Sequence, residues 1–482
     1  MNRAVGQDGR QSHGQGIKQD TLFEDFQFAP APVVDGPLPG PLSRTLLAEQ
    51  EELESRARSY PRMLPIAMDA GLGATIRDVD GNTFIDFFAG AGVLNVGHSN
   101  PAVLQAAARQ QGRLIHALDF PTPTKSRLMQ VLRPLLPGRL AHSGIFHFGG
   151  PTGSDAVEAA IKVARSCTGR DGIVAFRGSY HGMTAGARSV SSDSRGPTSG
   201  PAPVHFLPYP YAYRSPTGLD EGTCWQTCAA LLESCLTDPL SGVPKPAAVI
   251  IEPIQGEGGT IVPPSGFLPA IRQITSKHGV ILIVDEIQTG FGRTGDMFAC
   301  EREQVSPDIV TLSKALGGIG YPLSCIAYDK RLDRWEPGAH IGTFRGHQVA
   351  MAAGAAAIEF IVRAELPTRA AELGDVAMDF LRHAAEDLPA VGDIRGRGLL
   401  IGVELVRDRQ TKEPWPEIAS GVLRACANCG LICEVGGHFG NVVRFLPPLT
   451  ISRRLLEQGL EIFAACLRKQ EVELAYPSRA CS

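Results

Sequence analysis

Short runs of aliphatic, largely β-branched residues punctuate the middle of the chain, at 172–176, 247–251, 280–284 and 308–312. Each is bounded by glycine, proline or charge and lacks the alternation of a half-exposed strand. Such runs suit strands buried on both faces of a parallel sheet. Between them, apolar positions recur at helical spacing, as at Val157, Ala160, Ile161 and Ala164. Strands alternating with helices over roughly residues 140–330 predict an α/β fold with a doubly wound parallel sheet.

The flanks have a different rhythm. Residues 74–87 read as a β-hairpin turning at Asp80-Gly81-Asn82. Residues 391–406 read as a strand pair of a smaller α+β domain, and Val442–Phe445 as a strand with an inward Arg444, ended by Pro447-Pro448. Helices are expected over 45–59 and from Pro101 to about Ile115, and a long loop over 191–224. Residues 1–45 are rich in Gly, Gln, Pro and Ser and predict a flexible or surface-draped extension, with Phe23, Phe26 and Phe28 as its points of attachment.

The chemistry gathers where the apolar runs end. Asp285 and Glu286 follow one run, and Ser313-Lys314, trailed by Gly317-Gly318, follows the next. Open α/β sheets bind ligands at the carboxyl ends of their strands. Pyridoxal phosphate chemistry needs such a pair. A lysine forms the imine with the aldehyde, and a carboxylate keeps the pyridine nitrogen protonated. An acidic pair after a strand is equally what a helix N-terminus offers, and a lysine is commonly a surface charge. The chain holds only nine lysines, which makes one beside a glycine pair less incidental.

Other stretches have two readings as well. Thr152, Gly153 and Ser154 open a helix whose amides suit a phosphate, or they simply cap it. Tyr180 follows another strand, where an aromatic can stack on a planar ring. Residues 89–101 form a glycine-rich loop, either structural or a pocket wall. Glu252 and Glu257 sit on a glycine-rich turn after the 247–251 run, and 342–347 is a loop ahead of an Ala-rich helix.

Composition narrows the classes. The net charge of −4 and the absence of a basic block argue against nucleic acid or an anionic membrane as the main partner. No apolar run approaches the roughly 20 residues of a spanning helix, and the N-terminus has no apolar signal region, so a cytoplasmic location is expected. Eleven scattered cysteines suggest a reducing compartment without a disulfide framework. Cys426, Cys429 and Cys433 approximate a metal spacing, but no second such pair or histidine cluster completes it. Buried structural cysteines and no metal are expected.

Ten ordered blocks, among them YPR, DVDGNTFIDFFAGAGVLNVGH, GPTGSDAVEAAIKVAR, GSYHG, EPIQGEGG, IVDEIQTGFGRTG, LSKALGG, TFRGH and VRFLPPL, resemble the class III, fold-type I pyridoxal-phosphate aminotransferases. The wording around GPTGSDAVEAA, PYPY and TFRG further resembles the diaminobutyrate–2-oxoglutarate subgroup. The resemblance implies a large domain on a mainly parallel seven-stranded sheet. It also implies a smaller α+β domain from N- and C-terminal segments, with divisions near 45, 105 and 364. It implies Lys314 as the imine lysine, Asp285 as the pyridinium partner, Gln288 at the ring hydroxyl, and Tyr180 and Ile287 on the two ring faces. Thr152, Gly153 and Ser154 match the phosphate cup, and His181 and Glu252 complete the cofactor set. Thr343 matches a phosphate ligand from a partner subunit, which makes a homodimer part of the site. Arg444 matches the substrate carboxylate clamp and Glu257 its switchable partner, with Tyr60 and Ala91 in the substrate pocket. Several relatives carry a bulky aromatic where this chain has Ala91, which implies a roomier pocket.

The same resemblance implies a ping-pong transfer between a donor such as L-glutamate and a carbonyl acceptor, at a terminal position such as that of diaminobutyrate and aspartate semialdehyde. A tailoring enzyme for a bulky aldehyde is the alternative. A racemase, aminomutase or decarboxylase on the same fold is distinguished by needing no oxo-acid partner.

Overall fold

The structure, a computed structural model, describes residues 23–192, 203–218 and 222–475. The hairpin forms as the pattern predicts. Strands β1 (Met68–Leu72), β2 (Thr75–Asp78) and β3 (Thr83–Asp86) pair antiparallel in sequence, and the β2–β3 turn places Gly81 at φ 91°. That left-handed conformation suits glycine.

The central sheet contains β4 (Gly144–His147), β5 (Ile173–Phe176), β6 (Val204–Leu207), β7 (Ala248–Ile251), β8 (Ile281–Asp285), β9 (Ile309–Leu312) and β10 (Cys325–Asp329). Its order is β4-β10-β9-β8-β7-β5-β6. Only β10 runs against its neighbours, so the sheet is mainly parallel. Every residue of β5, β7, β8 and β9 is buried. That accounts for their unbroken aliphatic runs: helices cover both faces and no position faces water. In the β8–β9 register Asp285 lies opposite Thr311, so the ends of these two strands deliver Asp285 and Lys314 to one side of the sheet.

The remaining strands come from the C-terminal segment. They are β11 (Val391–Arg397), β12 (Leu400–Asp408), β13 (Glu413–Pro414), β14 (Leu431–Ile432), β15 (Glu434–Gly436) and β16 (Val442–Phe445). β14 pairs parallel with β3 and so joins the N- and C-terminal segments. β11, β12, β16 and β15 form the third sheet. Within it Arg444 lies between Gly402 of β12 and Glu434 of β15.

Three local expectations need correction. The long loop over 191–224 contains β6, an edge strand parallel to β5, and Tyr209 and Tyr211 after it are buried, while 193–202 and 219–221 lie outside the described residues. The flanking prolines hide a strand too short to show a period. The helix after Pro101 stops at Gln111, against Gly112. The first long helix spans Pro41–Leu53, because proline is favoured at a helix start. Of the extension, residues 1–22 are outside the described set. Phe23 is buried, with Arg369 over its ring, and single bridges join Gln27 to Gly73 and Val33 to Thr83.

Candidate active site

A cleft of about 190 Å³ opens at the carboxyl ends of β8 and β9, lined by Gly153, Ser154, Tyr180, His181, Gly182, Glu252, Glu257, Asp285, Ile287, Gln288, Thr289 and Lys314. All of these except Gly182 and Thr289 are site residues expected from the sequence. Thr152 is not on this wall. Its hydroxyl donates to Asp155 Oδ2 at 2.7 Å, at the start of the helix Gly153–Thr168. The close approach at Gly153 is real, since a Cβ there would come within 3.0 Å of Ile287 Cδ1.

Asp285 is held from three sides. His181 Nδ1 lies 2.6 Å from its Oδ2, and Oδ1 accepts from the Thr311 hydroxyl at 2.9 Å and the Ile287 amide at 3.1 Å. Burial works against a charged His181, but the hydrogen bond to Asp285 and the charges of Asp285 and Glu252 outweigh it, and its pKa rises. The neighbouring Glu286 points elsewhere. It accepts from the amides of Ala299 and Cys300 and from the Thr289 hydroxyl, and burial lifts it to about 7. The acidic pair therefore divides, one member facing the cleft and the other tying down the following turn.

Glu252 is also raised to about 7, by burial first. It accepts the amides of Tyr180 and Gly256, each at 2.9 Å, and so fixes the backbone that presents Tyr180. Lys314 sits at φ 46°, in the left-handed region. Its amine donates to the Ala91 carbonyl at 2.8 Å, and burial holds its pKa below the ordinary lysine range against the nearby Glu257 charge. Ala89, Gly90, Ala91 and Gly92 all have positive φ, so the glycine-rich loop is a left-handed turn that aims a carbonyl at the cleft.

Arg444 is fully buried. Its Nη2 donates to Gln288 Oε1 at 2.7 Å, and its Nη1 is shared between Glu257 Oε1, at 3.0 Å, and Glu434 Oε1. Burial alone would lower the Arg444 pKa, but the Glu434 and Glu257 charges reverse this and raise it. Gln288 in turn donates to the Ala91 carbonyl at 3.2 Å. Glu434 is not among the residues expected from the sequence, where it is a single charge in the run LICEV. Tyr60 and Ala91 line an adjoining cavity of about 900 Å³ together with Phe88 and His98. The Tyr60 ring packs on Phe88 at 5.3 Å, and burial, with Glu434 and Glu257, pushes its pKa to about 12.

Thr343 stands apart from the cleft. It is exposed on the turn Thr343–Gly346, where His116 Nε2 lies 2.6 Å from its carbonyl oxygen. Among the described residues no cluster of histidine, cysteine or carboxylate side chains is arranged to hold a metal, and no helix is long and apolar enough to cross a membrane.

Comparison with known proteins places this geometry. The chain is 43% identical over 435 residues to a diaminobutyrate–2-oxoglutarate aminotransferase of Rhizobium meliloti, covering 88% of this chain and 92% of the relative. It superposes on an (S)-enantioselective omega-transaminase from Thermomicrobium roseum with a TM-score of 0.80 at 31% identity, covering 89% of this chain and 98% of that one. An amine transaminase from an uncultivated Pseudomonas species, solved in its PLP-bound form, matches with a TM-score of 0.78 at 29% identity, over 86% of this chain and 98% of that one. The family model for class-III aminotransferases matches residues 56–467. The chain belongs to the class-III aminotransferases.

Proposed function

We propose that the chain exchanges an amino group between the α-carbon of glutamate and the terminal carbon of a diamino acid, 2,4-diaminobutyrate, with 2-oxoglutarate and the terminal aldehyde as the carbonyl partners. Pyridoxal phosphate, the cofactor of this family, supplies the aldehyde that holds the amino group and a ring that accepts electrons from the substrate carbon. The cleft suits it. The Asp285 carboxylate, the Lys314 amine and Gly153 at a helix N-terminus share its wall.

Each residue then has a task. Lys314, whose pKa burial lowers, takes a proton from the substrate carbon and returns it. The Asp285 carboxylate, held still by His181 and Thr311, would keep a proton on the ring nitrogen. Tyr180 and Ile287 would enclose the ring, with the Tyr180 backbone fixed by Glu252. Gly153 and Ser154 would present amides and the Ser154 hydroxyl to phosphate, with Thr152, bonded to Asp155, capping the helix. Gln288, which accepts from Arg444, would meet the ring edge.

The observation that carries the dual-substrate reading is the pairing of Arg444 with Glu257. A free Arg444 grips the glutamate α-carboxylate. A terminal amine brings a methylene to that place, where Arg444 keeps Glu434 but loses the substrate carboxylate, so part of its buried charge is left uncompensated, at a cost. Glu257 closing on Arg444 removes that cost.

Thr343 acts across a homodimer. Ile341, Phe344 and Phe120 around it are 71%, 69% and 67% exposed. An apolar patch of this kind suits a second copy of the chain.

The test is single-turnover conversion of the loaded enzyme by glutamate, diaminobutyrate and a panel of α-amino acids and amines. Rapid reaction of glutamate and of the diaminobutyrate terminal amine supports the reading. Reaction at the α-amine of diaminobutyrate, or turnover without an oxo acid, overturns it.

A further inference from the structure

Cys426, Cys429 and Cys433 have a metal-like spacing but no part in the amino-transfer cleft. Cys426 lies near the end of the helix Pro416–Asn428, Cys429 is its C-terminal capping residue, and Cys433 follows β14. The final helix, Arg453–Ala475, packs on this helix and brings a fourth thiol, Cys466. Gln470, one turn beyond Cys466 on the same face, leaves no room for a Cβ on Gly421, which precedes Cys426 by about one turn.

The four sulfurs form a chain. Cys466 accepts hydrogen bonds from the thiols of Cys426 and Cys429, and Cys426 is bonded in turn to Cys433. With Gln470 at Gly421 and Cys466 at Cys426, the two helices run antiparallel, and the thiol contacts follow from the way they cross. All four cysteines are free, and among the described residues no cysteine cluster is arranged to hold a metal. Cys426, Cys433 and Cys466 are buried, whereas Cys429 is exposed, so solvent reaches the group at one end. Burial ordinarily opposes ionisation of a thiol and pushes Cys228 up to about 12. At Cys466 the hydrogen bond from Cys426, together with that from Cys429 and the Lys469 charge, overcomes burial and brings the thiol down to about 7. The thiolate is the form that attacks oxidants.

We infer that Cys466 and Cys429 form a reversible disulfide, an oxidant-sensitive modification site apart from the amino-transfer cleft, with a hydroperoxide as the oxidant. The Cys466 sulfur attacks one oxygen of hydrogen peroxide and the O–O bond breaks. The departing hydroxide takes up the proton released by Cys466 and leaves as water, and Cys466 becomes a sulfenic acid. The Cys429 sulfur then attacks the Cys466 sulfur. The S–S bond forms, the S–O bond breaks, and the second hydroxide leaves as water with the Cys429 proton. Two thiols lose two electrons, and one peroxide becomes two waters. A dithiol restores both thiols by exchange. Cys429 is the resolving partner because it stands at a helix end, where the backbone can adjust to disulfide geometry, while Cys426 is held inside the helix and bonded on both sides. The bridge closes the loop that carries β14, β15 and β16, and with them Arg444.

The test treats the reduced holoenzyme with about one equivalent of hydrogen peroxide and maps its peptides without reduction. A peptide pair joined at Cys429 and Cys466 is expected, with the loss of two titratable thiols per chain and their return on adding dithiothreitol. Cys429→Ser, a conservative change at an exposed position, should abolish that bridge and leave a sulfenic acid on Cys466 that dimedone labels. A first bridge between any other pair of cysteines overturns the inference. So does a Cys466 that stays reduced under about a tenfold excess of peroxide, or a Cys429→Ser variant in which dimedone labels other cysteines and not Cys466.

Discussion

The Lys314 amine donates a hydrogen bond of 2.8 Å to the Ala91 carbonyl, and both residues stand at positive φ, 46° and 61°. Non-glycine residues in this region cost of order 1–3 kcal/mol each and persist only where the surroundings over-determine them. On the Ala91 side, Asp86 Oδ1 accepts the amides of Phe88 and Ala89 at 2.8 Å each and anchors the start of the turn. The left-handed turn holds the lysine at rest and leaves a small side chain on the wall of the larger cavity.

Replacing that side chain should therefore narrow the cavity more than it disturbs the lysine. Ala91→Tyr should lower kcat/KM for a bulky acceptor by about tenfold or more relative to a small one, through overpacking. A uniform loss for both acceptors would show that Ala91 acts on the lysine and not on pocket size.

Asp285 is pinned by His181, Thr311 and its own turn, so Asp285→Asn should preserve the shape and remove the charge. The rate of the half-reaction should fall by two or more orders of magnitude, while the cofactor still binds. Stopped-flow spectroscopy and cofactor titration measure the two separately. Near-native turnover in Asp285→Asn would refute a proton-holding role.

Arg444 and Glu257 should part company by substrate. Arg444→Ala should raise the glutamate KM by the equivalent of roughly 2 kcal/mol or more of lost pairing, and should affect a terminal amine without a carboxylate much less. Glu257→Ala should impair the terminal amine most. If both variants depress both half-reactions to the same degree, the pair does not switch.

Glu286 bears on stability. Burial raises its pKa from 4.5 to about 7. Across that window the unfolded chain releases a proton that the folded chain keeps, so rising pH favours unfolding, by up to about 1.4 kcal/mol per unit. Glu286→Gln removes the titrating group and replaces by a donor one of the two oxygens that accept from Ala299, Cys300 and Thr289. The variant should be less stable throughout, with a shallower decline between about pH 5 and 7 in denaturant-unfolding midpoints. A decline as steep as in wild type would contradict a titrating, buried Glu286.

The parts of the site legible in sequence are those written along one strand. β8 ends on Asp285 and β9 two residues before Lys314, so the buried runs mark both as strand-end residues, and the matching blocks separate them from a helix cap and a surface charge. Arg444 is visible for the same reason, as a charge inside an apolar strand. Glu434 is not, because its meaning depends on the β15–β16 register, which sets it against Arg444 after the chain reverses. Ala91 is legible by size but not by its carbonyl, since no pattern of side chains announces a left-handed turn. The divergence of Asp285 from Glu286 is equally hidden: adjacent residues at a strand end point to opposite sides, and only the packed turn at Ala299–Glu303 shows what the second carboxylate serves.

The most direct test is the position at which the cofactor is attached. Borohydride reduction of the loaded enzyme, followed by peptide mapping, can discriminate among nine lysines. A single labelled peptide carrying Lys314 is expected, and no label with loss of the visible absorbance in Lys314→Ala. Label on any other lysine, or label retained in Lys314→Ala, would contradict the role assigned to Lys314.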